Sequence, residues 1–320
     1  MLYLQKLVQE GANPELPLIA SYGTDRLWNQ SYDPSVELPD LAKTSRLEGY
    51  RDWNKPLSGY KVFANWLHQE TMASYERAMQ IQEQTVRGNL VKGNIHAERL
   101  SALQEALDIV LKPSGWSNVH YSATAKQVVA THETQGNVPI ALLSDGVRNM
   151  IGMVADIARR AIQLNPHLGT NAVSDVEGIV LIDEVDMHLH PQWQRTILGS
   201  LRTAFPFIQF IVTTHSPLVI SDSKDIHVNL LDSPEKATSL PELYGQDANS
   251  ILLDVMDTDI RAAEINVKLN DLLDAIHESD IPKARELIDE LEAELPAANI
   301  ELSKAKLMLR KKELKIAQNS

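Results

Sequence analysis

The chain has 320 residues, no cysteine, a formal net charge of −13 and a pI near 5.2. These values exclude a disulfide framework and a thiolate metal site, and they give an average field that repels nucleic acid. With 43% hydrophobic residues the sequence can build a sizeable core, as one large or two modest domains. No apolar run reaches the length of a membrane span, and Met1 to Glu15 has neither the basic front nor the long apolar centre of a signal peptide. A cytoplasmic protein without membrane contact is therefore expected.

Residues 1 to 10 predict a short helix closed by Gly11, Asn13 and Pro14. Leu16 to Ala20 predict a brief strand running into Ser21, Tyr22, Gly23, Thr24, Asp25 and Arg26. Trp28 to Pro56 is rich in Pro, Asp, Ser and Asn and reads mostly as loop. Apolar residues then recur at helical spacing from Tyr60 to Val86 and from Ile95 to Leu111, until Pro113, Ser114 and Gly115 stop the pattern. The stripe of Met72, Tyr75 and Met79 reads as ordinary core, although a partner-binding face would carry the same spacing.

Two short strands follow, Asn118 to Ser122 and Gln127 to His132, and a turn at Gln135 to Asn137 leads to a third, Val138 to Leu143. Ser144 is placed as the N-cap of a helix running to Gln163, with Asp145 in its first turn and Val147, Ile151, Val154 and Ala158 on its apolar stripe. The start of such a helix offers unpaired N–H groups and the positive end of a dipole, which suit a phosphate. Gly146 puts no side chain in the way of close approach. Taken alone, Ser144, Asp145 and Gly146 fit any capped amphipathic helix.

The stretch Gly178 to Pro191, GIVLIDEVDMHLHP, carries the most chemistry. Ile179 to Ile182 run directly into Asp183 and Glu184, which predicts a strand buried on both faces that delivers two carboxylates at its C-terminal end, the ligand-binding end of open α/β sheets. Adjacent acids there suit nucleotide hydrolysis, one holding Mg2+ and the other orienting the attacking water. On these few residues alone a solvated turn fits as well. Asp186, His188 and His190 have the residue types of metal ligands, but no third clear ligand accompanies the two histidines.

Pro191 to Phe205 predicts one helix, and Ile208 to Thr213 a second buried strand ending in Thr214, His215, Ser216 and Pro217. His215 has two readings there: a donor to a γ-phosphate, or a core histidine held by a backbone carbonyl. Ile226 to Leu231 reads as a last strand. Helices are expected over Leu243 to Met256, Ile260 to His277, Ile281 to Leu295 and Ile300 to Ile316, the last two forming an antiparallel hairpin about Pro296. The basic run Arg310 to Lys315 reads as a solvated helix face or a dipole complement, so direct DNA contact is not predicted.

Leu142 to Gly146, Asp183 to Pro191 and Thr213 to Pro217 occur in the order and spacing of the signature loop, Walker B strand and switch histidine of an ABC-type ATPase. The chain resembles the chromosomal ABC-like ATPases with DEIDLHLHP-type Walker B motifs, which include ATPases of the Septu and retron-linked anti-phage systems. The resemblance extends from LPLIASYGTDRLW near the start to LYGQDANSILLDVM near the end. It implies an α/β P-loop NTPase lobe with a helical subdomain and a C-terminal helical tail, and ATP and Mg2+ as cofactors. Asp183 would hold Mg2+ through water, Glu184 would be the water-orienting base, and His215 the switch. Ser144, Asp145 and Gly146 would close over ATP held by the opposing subunit of a head-to-tail homodimer. Asp186, His188 and His190 would form the D-loop at that interface. Arg26 would lie near a phosphate, or else be a surface arginine beside a turn. Asp145 departs from the LSGGQ form and sets a carboxylate unfavourably near a phosphate unless it turns away; the alternative is that it binds the helix's own N–H groups. The expected effector is a partner protein, often an HNH endonuclease in the systems that this chain resembles.

One part of the pattern is absent: G-x-x-x-x-G-K-[ST] occurs nowhere in the 320 residues. Gly88 to Asn94 has the glycine spacing but Asn94 in place of the lysine. The resembling family places its phosphate loop ahead of LPLIASYGTDRLW. The expectation is thus a chain that starts after that loop, with part of the sheet left exposed. The expected organisation is a remnant nucleotide-binding lobe over 1–56, a helical subdomain over 57–113, the signature, Walker B and switch lobe over 114–235, and a helical region over 236–320. Two functions follow: an ABC-type ATPase dimer that controls an effector, or a non-catalytic interaction or regulatory module, if not a truncated remnant.

Overall fold

In chain order the helices and strands are α1 (Leu2–Gln9), β1 (Leu18–Tyr22), α2 (Tyr60–Val86), α3 (Ile95–Leu111), β2 (Trp116–Ser122), β3 (Gln127–His132), β4 (Gly136–Pro139), α4 (Asp145–Leu164), β5 (Gly178–Ile182), α5 (Pro191–Gln194), α6 (Ile197–Ala204), β6 (Ile208–Val212), α7 (Pro217–Ser221), β7 (Asn229–Ser233), β8 (Lys236–Ser239), α8 (Ala248–Asp254), α9 (Ala263–Glu278), α10 (Ile281–Glu294) and α11 (Ile300–Asn319). This computed structural model describes residues 2–24, 45–54, 60–87, 93–233, 236–258, 262–296 and 299–319. Arg26 and most of the expected loop between Trp28 and Pro56 lie outside the described residues, as does most of the Gly88 to Asn94 string. Two compact units divide between Gly245 and Gln246, so the β7–β8 hairpin stays with the larger one.

The larger unit is built on a parallel sheet in the order β1-β5-β6, with Tyr22 beside Ile182 and Ile182 beside Val212. All three strands therefore end at the same edge, and the segments that follow them converge there. Leu18, Ala20, Tyr22, Val180 and Ile182 form the buried face. Helix α4 packs against β1, α2 and α3, and its buried residues extend over nearly its whole circumference.

The expectation that β5 is buried on both faces is corrected. Its burial alternates, and Ile179, Leu181 and Ile211 on the second face of the sheet are 44%, 38% and 52% exposed. Successive strand side chains point to opposite faces, so a run of four apolar residues supplies both sides even where only one is covered.

Other boundaries shift for local reasons. Strand β4 stops at Pro139, whose missing N–H cannot continue the ladder, and Ile140–Leu142 form a 3-10 turn closed by Leu143 N–H donating to the Ile140 carbonyl at 3.0 Å. The helix expected over 191–205 is two, because the Thr196 N–H and hydroxyl both donate to the Trp193 carbonyl, at 3.0 and 3.2 Å, which tightens the chain out of the α spacing. The strand expected over 226–231 begins at Asn229 and pairs antiparallel with β8, a partner the sequence reading did not anticipate.

In the smaller unit α9, α10 and α11 pack on one another around Leu272, Ile276, Leu291, Leu302 and Leu309. Ser279, at φ 68, closes α9 in the left-handed region, and the Asp280 carboxylate accepts from Lys283 N–H at 3.2 Å to cap α10. The basic run near the C-terminus is partly engaged: Lys312 Nζ donates to the His277 carbonyl at 3.0 Å, and Glu313 within it pairs with Arg285 at 2.7 Å. Among the described residues no helix is long and apolar enough to cross a membrane.

Candidate functional site

The turn after β5 is held from two sides. Asp183 N–H donates to the Tyr22 carbonyl at 2.8 Å, prolonging the β1 pairing, while Val185 N–H donates to the Thr213 carbonyl at 3.0 Å, prolonging the β6 pairing. Between them Glu184 lies at φ 47, and its N–H donates to the Thr213 hydroxyl oxygen at 2.8 Å. His188, four residues on, lies at φ 61. Two non-glycine residues in the left-handed region cost of order 1–3 kcal/mol each. The bonds from Met187 N–H to the Glu184 carbonyl (2.9 Å) and from Leu189 N–H to the Asp186 carbonyl (3.0 Å) keep the turn tight between them.

Asp183 is exposed at the sheet edge and Glu184 is half-buried. The Thr213 hydroxyl donates to Asp183 Oδ1 at 2.5 Å, and the Thr214 hydroxyl donates to the Asp186 carboxylate. His215 is exposed one residue further along the same loop. Ser216 caps α7, its hydroxyl oxygen accepting from Leu218 N–H at 3.2 Å and its O–H donating to Gln194 Oε1 at 2.8 Å. His188 is exposed, whereas His190 serves as an N-cap: its Nδ1 accepts from Gln192 N–H at 3.3 Å, which fixes that nitrogen as the unprotonated one. Among the described residues no group of three or more His, Asp or Glu is arranged to hold a metal ion. A single exposed carboxylate at a sheet end is nevertheless the donor that Mg2+ uses when water and phosphate oxygens complete its shell.

The start of α4 reaches this turn. Ser144 occupies the N-cap position but its side chain makes no capping hydrogen bond, and Asp145 pairs with Arg148. Gly146 is buried, and a side chain on it would run into the carbonyl group of His188. Its lack of a side chain thus serves packing within the chain, a reason additional to the clearance expected for a phosphate. Asp183, Glu184 and His215 are gathered at one edge, and Gly146 abuts the turn at His188 and Leu189.

Further along α4 lies a buried polar network that the sequence reading missed. Asp156 accepts from the Tyr22 hydroxyl at 2.9 Å, from Arg160 Nε at 2.6 Å and from Arg159 at 2.6 Å. Arg160 also donates to the carbonyls of Gly49 at 2.9 Å and Arg51 at 2.8 Å. Burial pushes the Asp156 pKa up, but the charges of Arg159 and Arg160 outweigh it and hold the carboxyl below the ordinary value. Burial, with Asp156 alongside, pushes the Tyr22 hydroxyl well above its usual value. The available signal was an Asp and an Arg four residues apart inside an apolar helix stripe, a spacing that puts them on one face. Tyr22 therefore touches both structures: its carbonyl holds Asp183 and its hydroxyl holds α4.

A parallel sheet with its loops converging at one edge and helices packed on one face is the α/β arrangement of a P-loop NTPase-like fold. The family model described as "AAA domain, putative AbiEii toxin, Type IV TA system" matches residues 36–221, more than half of the 320, and the chain belongs to that family. It is similar to "Retron Vc95 probable ATPase" of Vibrio cholerae serotype O1 biovar El Tor, with 42% identity over 38% of this chain and 24% of that protein. It is similar to "Retron Ec83 probable ATPase" of Escherichia coli, with 26% identity over 79% of this chain and 54% of that protein. "Septu protein PtuA" of Bacillus mycoides (strain KBAB4) is 40% identical over 34% of this chain and 15% of that protein. The chain thus spans about half or less of the length of these relatives.

Proposed function

We propose that the chain takes part in ATP binding and hydrolysis as the Walker B, signature and switch portion of an ABC-type ATPase, and that its nucleotide state controls a partner effector in anti-phage defence. The observation that carries the reading is the placement of Asp183, Glu184 and His215 together at the C-terminal edge of a parallel sheet. Asp183 supplies a hard oxygen donor to Mg2+, and Glu184 orients or deprotonates the attacking water. His215 donates to the γ-phosphate. Ser144, Asp145 and Gly146 face ATP held by a second copy in a head-to-tail homodimer, a role supported by the exposure of Leu142, Ser144 and Asp145 beside the helix start. The effector is of HNH-nuclease type, and the location is cytoplasmic. Similarity to proteins named as retron ATPases and Septu PtuA supports the defence setting.

A second reading is favoured by the exposed apolar face of Ile179, Leu181 and Ile211. In it, the 320 residues act as a non-catalytic interaction or regulatory module, with that face as its contact surface. ATP binding and Mg2+-dependent turnover by the purified chain and by Glu184→Gln separate the two. Turnover that falls about 100-fold or more in Glu184→Gln supports hydrolysis through this acid. Equal turnover by both proteins refutes its role, and absence of binding and turnover both in the chain alone and in a form joined to a phosphate-loop segment supports the module.

A further inference from the structure

Thr213 joins the end of β6 to every residue of the turn after β5 that matters to the proposed chemistry. Its backbone N–H donates to the Ile182 carbonyl at 2.9 Å and its carbonyl accepts from Val185 N–H at 3.0 Å. Its hydroxyl accepts from Glu184 N–H at 2.8 Å and donates to Asp183 Oδ1 at 2.5 Å. A threonine hydroxyl carries a single hydrogen. With the Glu184 N–H directed at the oxygen, that hydrogen is committed to the Asp183 carboxylate. The relay therefore runs one way, from amide to hydroxyl to carboxylate, and each bond polarises the next.

Two consequences follow for the turn. Glu184 lies in the left-handed region, at φ 47, between the Asp183 and Val185 main-chain bonds, and its own N–H adds the bond to the Thr213 hydroxyl, which contributes to the direction in which its side chain leaves the backbone. Asp183 has one carboxylate oxygen bound to the same hydroxyl, which fixes the rotation of the group about its terminal bond. One hydroxyl thus bonds to both acids, to the main chain of Glu184 and to the carboxylate of Asp183.

We infer that Thr213 is the positioning residue of the site, its hydroxyl setting Asp183 for Mg2+ and Glu184 for water. The inference rests on the roles proposed above for those two acids. Thr213→Val preserves shape and removes the hydroxyl; Thr213→Ser restores it. Two measurements are made on the full chain and on these variants, with Glu184→Gln alongside. In the absence of nucleotide, amide hydrogen exchange at Glu184 quickens by about tenfold or more in Thr213→Val, returns toward wild type in Thr213→Ser and is unchanged in α9, α10 and α11. In Mg2+-dependent ATP turnover, the Mg2+ concentration for half-maximal rate rises in Thr213→Val and is restored in Thr213→Ser, a pattern that loss of stability alone would not give.

Unchanged exchange in Thr213→Val overturns the inference. So does an unchanged Mg2+ dependence when Glu184→Gln has lost turnover, and in that case the proposed function survives. Turnover retained by Glu184→Gln overturns the hydrolytic reading itself, and a change in exchange would then leave Thr213 as a clip in the fold.

Discussion

Replacing Gly146 by alanine tests how closely the start of α4 is locked onto the turn after β5. A Cβ built at Gly146 falls inside contact distance of the His188 carbonyl oxygen and 3.1 Å from its carbon, with Leu189 Cδ2 at 3.7 Å. The obstacle is main chain, so it cannot swing aside as the tip of a side chain would. Relief requires moving His188, itself at φ 61, or lifting the first turn of α4. Overpacking costs about 1–3 kcal/mol, and a backbone obstacle puts the cost at the upper end. Alanine returns about 1 kcal/mol through helix propensity, which leaves a net loss of about 2 kcal/mol. For a unit of this size that is a fall in Tm of about 4–8 °C. Gly199 in α6 provides the matched control, because nothing lies within 4 Å of its built Cβ. Gly199→Ala should gain up to about 1 kcal/mol, or about 2–4 °C. Thermal unfolding of the three proteins by circular dichroism and calorimetry reads both changes. A Gly146→Ala protein that melts at or above the wild-type temperature, with Gly199→Ala stabilised, would refute the packing of α4 on His188.

Asp156→Ala strands Arg160 in the interior and should destabilise the chain by about 3–5 kcal/mol in urea unfolding. Because the folded pKa of Asp156 lies below the ordinary carboxylate value, its contribution is full above about pH 4 and is lost as the pH falls through the folded value; the stability of Asp156→Asn should therefore vary less with acid than that of the wild type. Gly178→Ala places a Cβ 2.8 Å from the Leu18 carbonyl carbon, which should prise β5 from β1 and cost about 1–3 kcal/mol; an unchanged urea midpoint would show that the strands are further apart. Leu181→Ser and Ile211→Ser on the exposed sheet face should each change stability by less than about 0.5 kcal/mol while reducing binding of an apolar fluorescent dye, and a loss above about 2 kcal/mol at either site would show that the face is covered.

Elements that depend on neighbours a few residues away were legible in the sequence. Apolar spacing marked α2 and α3, the short strands β3, β5 and β6 followed from β-rich runs with turn residues after them, and Asp183, Glu184 and His215 could be placed near strand ends because each lies just beyond such a run. Ser144 was legible as an N-cap position from its place before an amphipathic stretch, but the lack of a capping bond from its side chain was not. Tertiary structure decided which side of a strand is covered: Ile179 and Val180 are equally apolar, and only the packing of helices on one face buries the second and leaves the first 44% exposed. It also decided why particular residues are there. Gly146 and Gly178 answer to carbonyls 42 and 160 positions away in the chain, at His188 and Leu18, and Thr213 bonds to Asp183 and Glu184 across two adjacent strands. Tyr22, Asp156 and Arg160 look like misfits in apolar segments until folding brings their charges and hydroxyl together. Local sequence fixes backbone preference and the polarity of a face, whereas close approach, hydrogen-bond direction and the balance between burial and charge depend on groups that only the folded chain sets side by side.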